Sequence, residues 1–316
     1  MFSALLDPKG PNCAADAQFA TVLPRGDHVV LLNGLEAWIK ARGSGPTCLF
    51  PTPGWGGSSD LYFETLQPLE QWFTVVYLDT RGTGRSARSL PDDAYRIERF
   101  TSDLNALRLL LGEESVWVMG HSLGGLLAQY FAVHYPESCR GLILLDSSAA
   151  IDDDNLADMD RRARRRSQEP WFPAAYKALN REEESIRSDV EFKKYLEEIL
   201  PFYFHDVANF KRSDFAHLTL SAEAYPMMSL NAETFRLGAL HRLPELDVPA
   251  VIIVGDDDFI CSPAQALRIH LPLKRSKLVL VEHAGHFPWL EQPEAFYSAL
   301  ESALRQLGAI SAGVGV

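Results

Sequence analysis

Ser115-Val116-Trp117-Val118-Met119-Gly120-His121-Ser122-Leu123-Gly124 is the stretch on which the reading of the fold turns. Its first half is a short apolar run, the pattern of a buried parallel strand. Beyond it, Leu126-Leu127-Ala128-Gln129-Tyr130-Phe131-Ala132-Val133 reads as a helix packed on a sheet. The G-x-S-x-G pentapeptide between them, Gly120 to Gly124, predicts a sharp strand-to-helix turn. Such a turn strains the backbone of its serine and projects the hydroxyl from the sheet edge. Glycines two residues to either side keep it free of side-chain clashes. The unpaired N–H groups at the helix start face any negative charge that develops there. The rival reading is a glycine-rich turn with an incidental serine, and the flanking strand and helix speak against it.

A serine hydroxyl is a weak nucleophile and needs a base and an orienting acid. Ala250-Val251-Ile252-Ile253-Val254-Gly255 predicts another buried strand, with Asp256-Asp257-Asp258 at its carboxyl end. Lys277-Leu278-Val279-Leu280-Val281 predicts a third such strand, leading into Glu282-His283-Ala284-Gly285-His286-Phe287-Pro288-Trp289. Functional groups of open α/β sheets gather beyond the carboxyl ends of strands. The chain order Ser…Asp…His is that of an α/β-hydrolase arrangement. His286 is preferred to His283 because it follows Gly285 in a turn past the strand end and precedes Phe287-Pro288. Asp258 is preferred to Asp256 and Asp257 because the loop has left the strand there and can turn toward the histidine. Asp146, closing the strand Gly141-Leu142-Ile143-Leu144-Leu145, is a rival carboxylate.

Acyl transfer also needs an oxyanion hole. One donor is expected to be the backbone N–H of Leu123, next to the nucleophile. The second is expected from the loop Pro51-Thr52-Pro53-Gly54-Trp55-Gly56-Gly57-Ser58-Ser59, with the N–H of Trp55 as the candidate. Glycines in that loop let the backbone approach a ligand closely.

These motifs resemble the α/β-hydrolase superfamily, and within it the proline-iminopeptidase-like group. Leu78-Asp79-Thr80-Arg81-Gly82-Thr83-Gly84-Arg85-Ser86 is similar to that group's D-x-R-G-x-G-x-S loop, and Gly285 to Glu291 to its segment around the catalytic histidine. The resemblance implies an α/β-hydrolase fold: a mostly parallel central sheet flanked by helices, with an inserted helical cap. Two departures stand out. The family's His-Gly before the oxyanion loop is Pro53-Gly54 here, and the Gly-Gly-Ser-Trp-Gly elbow of true proline iminopeptidases is Gly-His-Ser-Leu-Gly. The resemblance therefore supports a serine hydrolase more strongly than an aminopeptidase.

Composition agrees. A chain of 316 residues can bury one large α/β core with an inserted subdomain. Hydrophobic content of 47% and charged content of 23% are those of a soluble globular protein. A net charge of −12 argues against nucleic acid as a partner, since phosphate binding needs a basic face. Asp7-Pro8 interrupts the start too early for a signal peptide, and no apolar run approaches the ~20 residues of a membrane span. Cys13, Cys48, Cys139 and Cys261 show no metal spacing and read as free thiols of a reducing cytoplasm. Cys261, three residues past Asp258, is read as a packing residue, with approach to the site as the alternative.

The hydrolase core is expected at residues 1–149 and 241–316. His28 to Asn33 and Leu35 to Ala41 predict an antiparallel pair about Asn33-Gly34. Parallel strands follow near 47–51, 73–79, 115–120, 141–146, 250–255 and 277–282. A helix is expected to start after Thr101 as N-cap and stop at Gly112. Residues 150–240 lack strand–helix alternation and predict a helical cap over the carboxyl ends of the sheet. Arg161 to Arg166 is its most charged run, read as a solvated face rather than an anion site. Aromatics of the cap either line the pocket or form the cap's own core. Trp171, Phe204 and Tyr225 are candidates for the pocket, together with Gly54, His121, Phe287 and Trp289.

The mechanism follows. His286 takes the proton of Ser122 as the hydroxyl attacks a carbonyl carbon, and Asp258 orients the imidazole. Water then releases the acid. A serine rather than an aspartate at the elbow argues against haloalkane dehalogenase or epoxide hydrolase chemistry. No metal or organic cofactor is implied, and the partner expected is a small-molecule substrate. The expected reaction is cleavage of an ester, or a related acyl bond, of a small apolar acid. An aminopeptidase is the alternative enzyme, with Glu182-Glu183-Glu184 as a possible ammonium binder. A small-molecule receptor on a hydrolase fold is the alternative from another class.

Overall fold

In the computed structural model, residues 25–52, 56–181, 186–225 and 227–310 are described. The chain opens with a hairpin of β1 (Gly26–Leu32) and β2 (Leu35–Gly43). Its turn places Asn33 at φ 50° and Gly34 at φ 83°, the left-handed pair that a two-residue hairpin needs. Then come β3 (Thr47–Pro51), α1 (Asp60–Thr65), β4 (Thr74–Leu78) and α2 (Ile97–Leu110). These lead to β5 (Val116–His121), α3 (Leu123–His134) and β6 (Cys139–Leu145). The strands resume with β7 (Ala250–Gly255) and β8 (Ser276–Val281).

The sheet runs β1-β2-β4-β3-β5-β6-β7-β8. β1, β2 and β4 pair antiparallel in turn, and every pair from β4 onward is parallel. β5 sits mid-sheet and all six of its residues are buried, so helices cover both of its faces. One layer of core gathers Leu104, Leu107, Leu127 and Phe131 against Val118 and Leu144. The opposite layer gathers Tyr62, Phe73, Phe296 and Leu300 against Trp117 and Ile143.

Two expectations need correction. β8 is not a fully buried strand. It is a sheet edge with one neighbour, and Lys277 and Leu280 are exposed. The helix expected after Thr101 begins at Ile97, because Ile97 and Phe100 extend its apolar face by a turn. Thr101 lies inside it, its hydroxyl donating to the Glu98 carbonyl at 3.2 Å. The stop at Gly112 holds, with φ at 71°.

Between β6 and β7 lie α4 (Asp153–Arg165), α5 (Phe172–Leu179), α6 (Asp189–Ile199), α7 (Met227–Leu230) and α8 (Ala232–Leu237). Asp152 caps α4 by accepting from the Asn155 N–H, and Ser188 caps α6 by accepting from the Glu191 N–H. The arginine run of α4 is paired along the helix: Arg161 and Arg162 reach Asp158, and Arg164 reaches Asp160 at 2.7 Å. Such pairs contribute about 0.3–0.5 kcal/mol each. After β7 come α9 (Pro263–His270), then α10 (Pro288–Glu291) and α11 (Pro293–Gln306). Among the described residues, no helix is long and apolar enough to cross a membrane.

Candidate active site

Ser122 stands between β5 and α3 with φ 56° and ψ −127°. A non-glycine residue in that region carries roughly 1–3 kcal/mol of strain, which the surrounding contacts must hold. They do so through the Ser122 N–H, which donates to the Leu145 carbonyl at 3.0 Å, and the Ser122 carbonyl, which accepts from Gly125 at 3.0 Å. A Cβ on Gly120 would strike the Gly124 carbonyl, so glycine is required there.

Asp258 and His286 descend from the carboxyl ends of β7 and β8. Asp258 Oδ1 accepts from the N–H groups of Ile260 at 2.9 Å and Cys261 at 3.1 Å. Its Oδ2 lies 2.8 Å from His286 Nδ1. A carboxylate only accepts, so Nδ1 donates and Nε2 is left with a lone pair. Both residues are buried. The backbone of His286 is also held: its N–H donates to the Tyr203 carbonyl at 2.7 Å.

His121 braces the other side. Its Nε2 lies 2.9 Å from the His286 carbonyl and its Nδ1 lies 3.1 Å from the Tyr62 hydroxyl. The carbonyl can only accept, so Nε2 carries the hydrogen and Nδ1 accepts from Tyr62. Burial, and then the neighbouring His286, hold this imidazole well below the usual range, so it stays neutral.

Glu291 supports the histidine loop from below. This buried carboxylate accepts from the N–H of Gly285 at 2.6 Å and from those of His205 and Asp206, each at 3.1 Å. It thereby ties the loop before His286 to the segment after α6.

The other acids separate by position. Asp256 caps the loop by accepting from the Ala284 N–H at 3.2 Å, and Asp257 meets Arg166 and His205 near the surface. His283 is exposed. Asp146 is fully buried, with Oδ1 accepting from the Gly255 N–H at 2.9 Å and its carboxyl against that of Asp258. Burial, and then the Asp258 carboxylate, push its carboxyl well above the usual range. A carboxyl raised by folding favours the native state when protonated. That contribution is present at low pH and is lost as pH rises toward the folded value. Asp146→Asn mimics the protonated group. Its melting temperature relative to wild type is therefore expected to be higher at pH 8 than at pH 5. An equal difference at both pH values would show Asp146 to be an ordinary carboxylate.

A cavity of about 570 Å³ opens over Ser122, Leu123 and His286. Its walls are chiefly apolar, with Leu156, Met159, Leu196 and Leu200 from the inserted segment. Of the residues expected at the pocket, His121, Tyr225 and Phe287 line it. Trp171, Phe204 and Trp289 do not. Trp171 packs edge-on against Phe202 at 5.0 Å, and Phe204 is buried against Phe210, Phe215 and Phe287. Trp289 is buried and donates to the Thr65 hydroxyl at 3.0 Å. These large rings serve local cores instead. Gly54 and Trp55, expected at the oxyanion hole, lie outside the described residues, as do Glu182-Glu183-Glu184 and Cys13.

The neighbouring part of that loop is firmly held. Asp79 accepts from the N–H of Ser59 at 2.8 Å and of Arg85 at 2.9 Å, and Arg85 Nε returns to Asp79 at 2.9 Å. The Ser58 N–H donates to the Thr219 carbonyl at 3.0 Å. The D-x-R-G-x-G-x-S stretch thus acts as a brace for the loop above β3. Cys261, for which the sequence left approach to the site open beside a packing role, is a close neighbour of Ser122. Its thiol lies 3.3 Å from Ser148 Oγ, contacts the Ser122 hydroxyl and lines the cavity. Burial, and then Asp258, push that thiol well up.

A supported histidine and a serine in a strained turn line one apolar cavity, an arrangement able to carry out acyl transfer. The chain belongs to the family of the alpha/beta hydrolase fold, whose model matches residues 52–293. It is thus an α/β-fold hydrolase, and it is proline-iminopeptidase-like. It is 26% identical over 255 residues to a proline iminopeptidase of Pestalotiopsis fici, covering 79% of this chain and 88% of that protein. A pimeloyl-[acyl-carrier protein] methyl ester esterase of Neisseria meningitidis is 27% identical, covering 77% of this chain and 87% of the esterase. The proline iminopeptidase-related protein of Thermus thermophilus superposes with a TM-score of 0.69 at 24% identity, covering 90% and 99% of the two chains.

Proposed function

We propose that this chain is a serine hydrolase that cleaves a carboxylic ester, or a related acyl bond, of an apolar acid through an acyl-enzyme intermediate. One observation carries the reading most: the 2.8 Å bond from His286 to Asp258 leaves Nε2 as a base on the cavity that Ser122 also lines. Nε2 accepts the Ser122 proton as the hydroxyl oxygen attacks the carbonyl carbon. The N–H of Leu123, first in α3, is the proposed oxyanion donor, with Trp55 as its partner. The imidazolium passes its proton to the leaving alcohol, and water repeats the cycle to free the acid. Residues 150–240 form the cap in this reading, and their aliphatic side chains receive the acyl chain.

An aminopeptidase binds the substrate's ammonium group, which calls for a carboxylate. Among the described residues, Glu197 is the one acidic side chain lining the cavity, and it is exposed on α6. The lining therefore favours an uncharged acyl group. A panel of nitrophenyl esters from acetyl to dodecanoyl, lactones and prolyl amides tests this. Ester turnover is expected to exceed prolyl-amide turnover. Preferred cleavage of prolyl amides would overturn the ester reading, and binding without turnover would indicate a receptor.

The cap's part is open to a separate measurement. Leu196→Trp fills the cavity and is expected to lower kcat/KM for the longest acyl chains relative to acetyl. A hydrophobic wall discriminates by about 1–3 kcal/mol per methylene, so shifts of roughly 10–200-fold are expected. Equal losses on all chains would remove the cap as the determinant of chain length.

A further inference from the structure

We propose that Asp258, Cys261 and His286 form an inhibitory site for a thiophilic divalent cation, with zinc as its representative. One potential ligand atom from each residue lies within 4.8 Å of the others, and all three residues are buried. Cys261 and His286 form part of the cavity wall, which gives an ion a path inward.

The donor set decides the kind of ion. A sulfur, an imidazole nitrogen and a carboxylate oxygen suit zinc or cadmium, whereas magnesium and calcium take six or more oxygens. Zinc bond lengths of about 2.0–2.3 Å place tetrahedral donors about 3.3–3.8 Å apart. The 4.8 Å limit on the present separations stands about 1 Å above that range. The Ser122 hydroxyl is in contact with the thiol, and water from the cavity can supply a fourth ligand. As the sulfur–metal bond forms, the thiol proton leaves to solvent.

Inhibition rests on the reading of His286 as the base. A cation on Nε2 occupies the lone pair that accepts the Ser122 proton. A cation on Nδ1 displaces the proton donated to Asp258, which moves to Nε2 and occupies the lone pair there. Either arrangement removes the base. Sequence spacing does not reveal this cluster, because its members come from loops after two different strands.

The test uses the full chain and two readouts. Cadmium binding is followed by the thiolate-to-cadmium ultraviolet charge-transfer band. Ester hydrolysis is followed against zinc, with magnesium as control and a chelator added last. The expected result is a band saturating at one equivalent, at least about 10-fold inhibition by zinc but not magnesium, and recovery with the chelator. Cys261→Ala and Cys261→Ser are each expected to lose the band. Each is also expected to raise the half-inhibiting zinc concentration at least about 10-fold, judged against its own uninhibited rate. Two variants guard against one that fails to fold. No band in the wild type, an equal band in both variants, or unchanged zinc sensitivity in both would overturn the site. A Cys261-dependent band without inhibition would support the site and overturn His286 as the base.

Discussion

Ser122→Ala is expected to abolish covalent labelling by a fluorophosphonate and to lower ester turnover by about 10⁴–10⁶-fold, while the melting temperature stays near that of wild type. The chemistry requires the hydroxyl, but the fold requires only the backbone turn. At φ 56° the strain belongs to the main chain and the Cβ, which alanine shares with serine. The bonds to Leu145 and Gly125 use main-chain atoms and persist in the variant. Gel-based labelling, turnover and thermal melting of both proteins check this. Undiminished labelling of the variant would place the nucleophile elsewhere.

Asp258→Asn is expected to lower kcat by about 10⁴-fold. The cause is a forced change of tautomer. The N–H groups of Ile260 and Cys261 both point at Oδ1, so the asparagine oxygen stays with them. Its NH₂ group then faces His286 Nδ1, which must accept, and the ring hydrogen moves to Nε2. A base with its lone pair buried cannot take the serine proton. Asp257→Asn, at a half-exposed residue paired with Arg166 and His205, is expected to change kcat by less than a few fold. Asp146→Asn keeps both the acceptor for Gly255 and a donor beside Asp258. Should Asp146→Asn prove more damaging than Asp258→Asn, the orienting acid is Asp146.

The sheet was legible because its strands are continuous apolar runs, and the elbow because glycine, serine and glycine fall between such a run and a helix. The order of Ser122, Asp258 and His286 followed from the rule that loops past strand ends carry function. What stayed hidden depends on contacts distant in sequence. β8 has the same apolar run as its neighbours, yet it lies at the edge, which only topology decides. The start of α2 at Ile97 reflects burial of Ile97 and Phe100, which overrides the capping preference of Thr101. Trp171, Phe204 and Trp289 look like pocket aromatics, but large rings fill local cores as readily as they line cavities. The actual walls come largely from aliphatic residues such as Leu156, Leu196 and Leu200, whose spacing matches any amphipathic helix.

Tyr203 belongs at once to the cavity wall and to the support of His286. Its carbonyl takes the histidine N–H, and its ring meets the imidazole edge-on at 5.2 Å. Glu291 joins the adjoining residues His205 and Asp206 to the same loop, and a Cβ on Gly285 would strike the Tyr203 carbonyl. The inserted segment is therefore not a separable module for engineering. A chimera that grafts residues 150–240 from a relative also exchanges the struts of the imidazole, so under the proposed function it is expected to alter reactivity together with selectivity. Grafts that stop short of residue 200 leave those struts native but still exchange Asn155, which donates to the Ile260 carbonyl in the loop after Asp258.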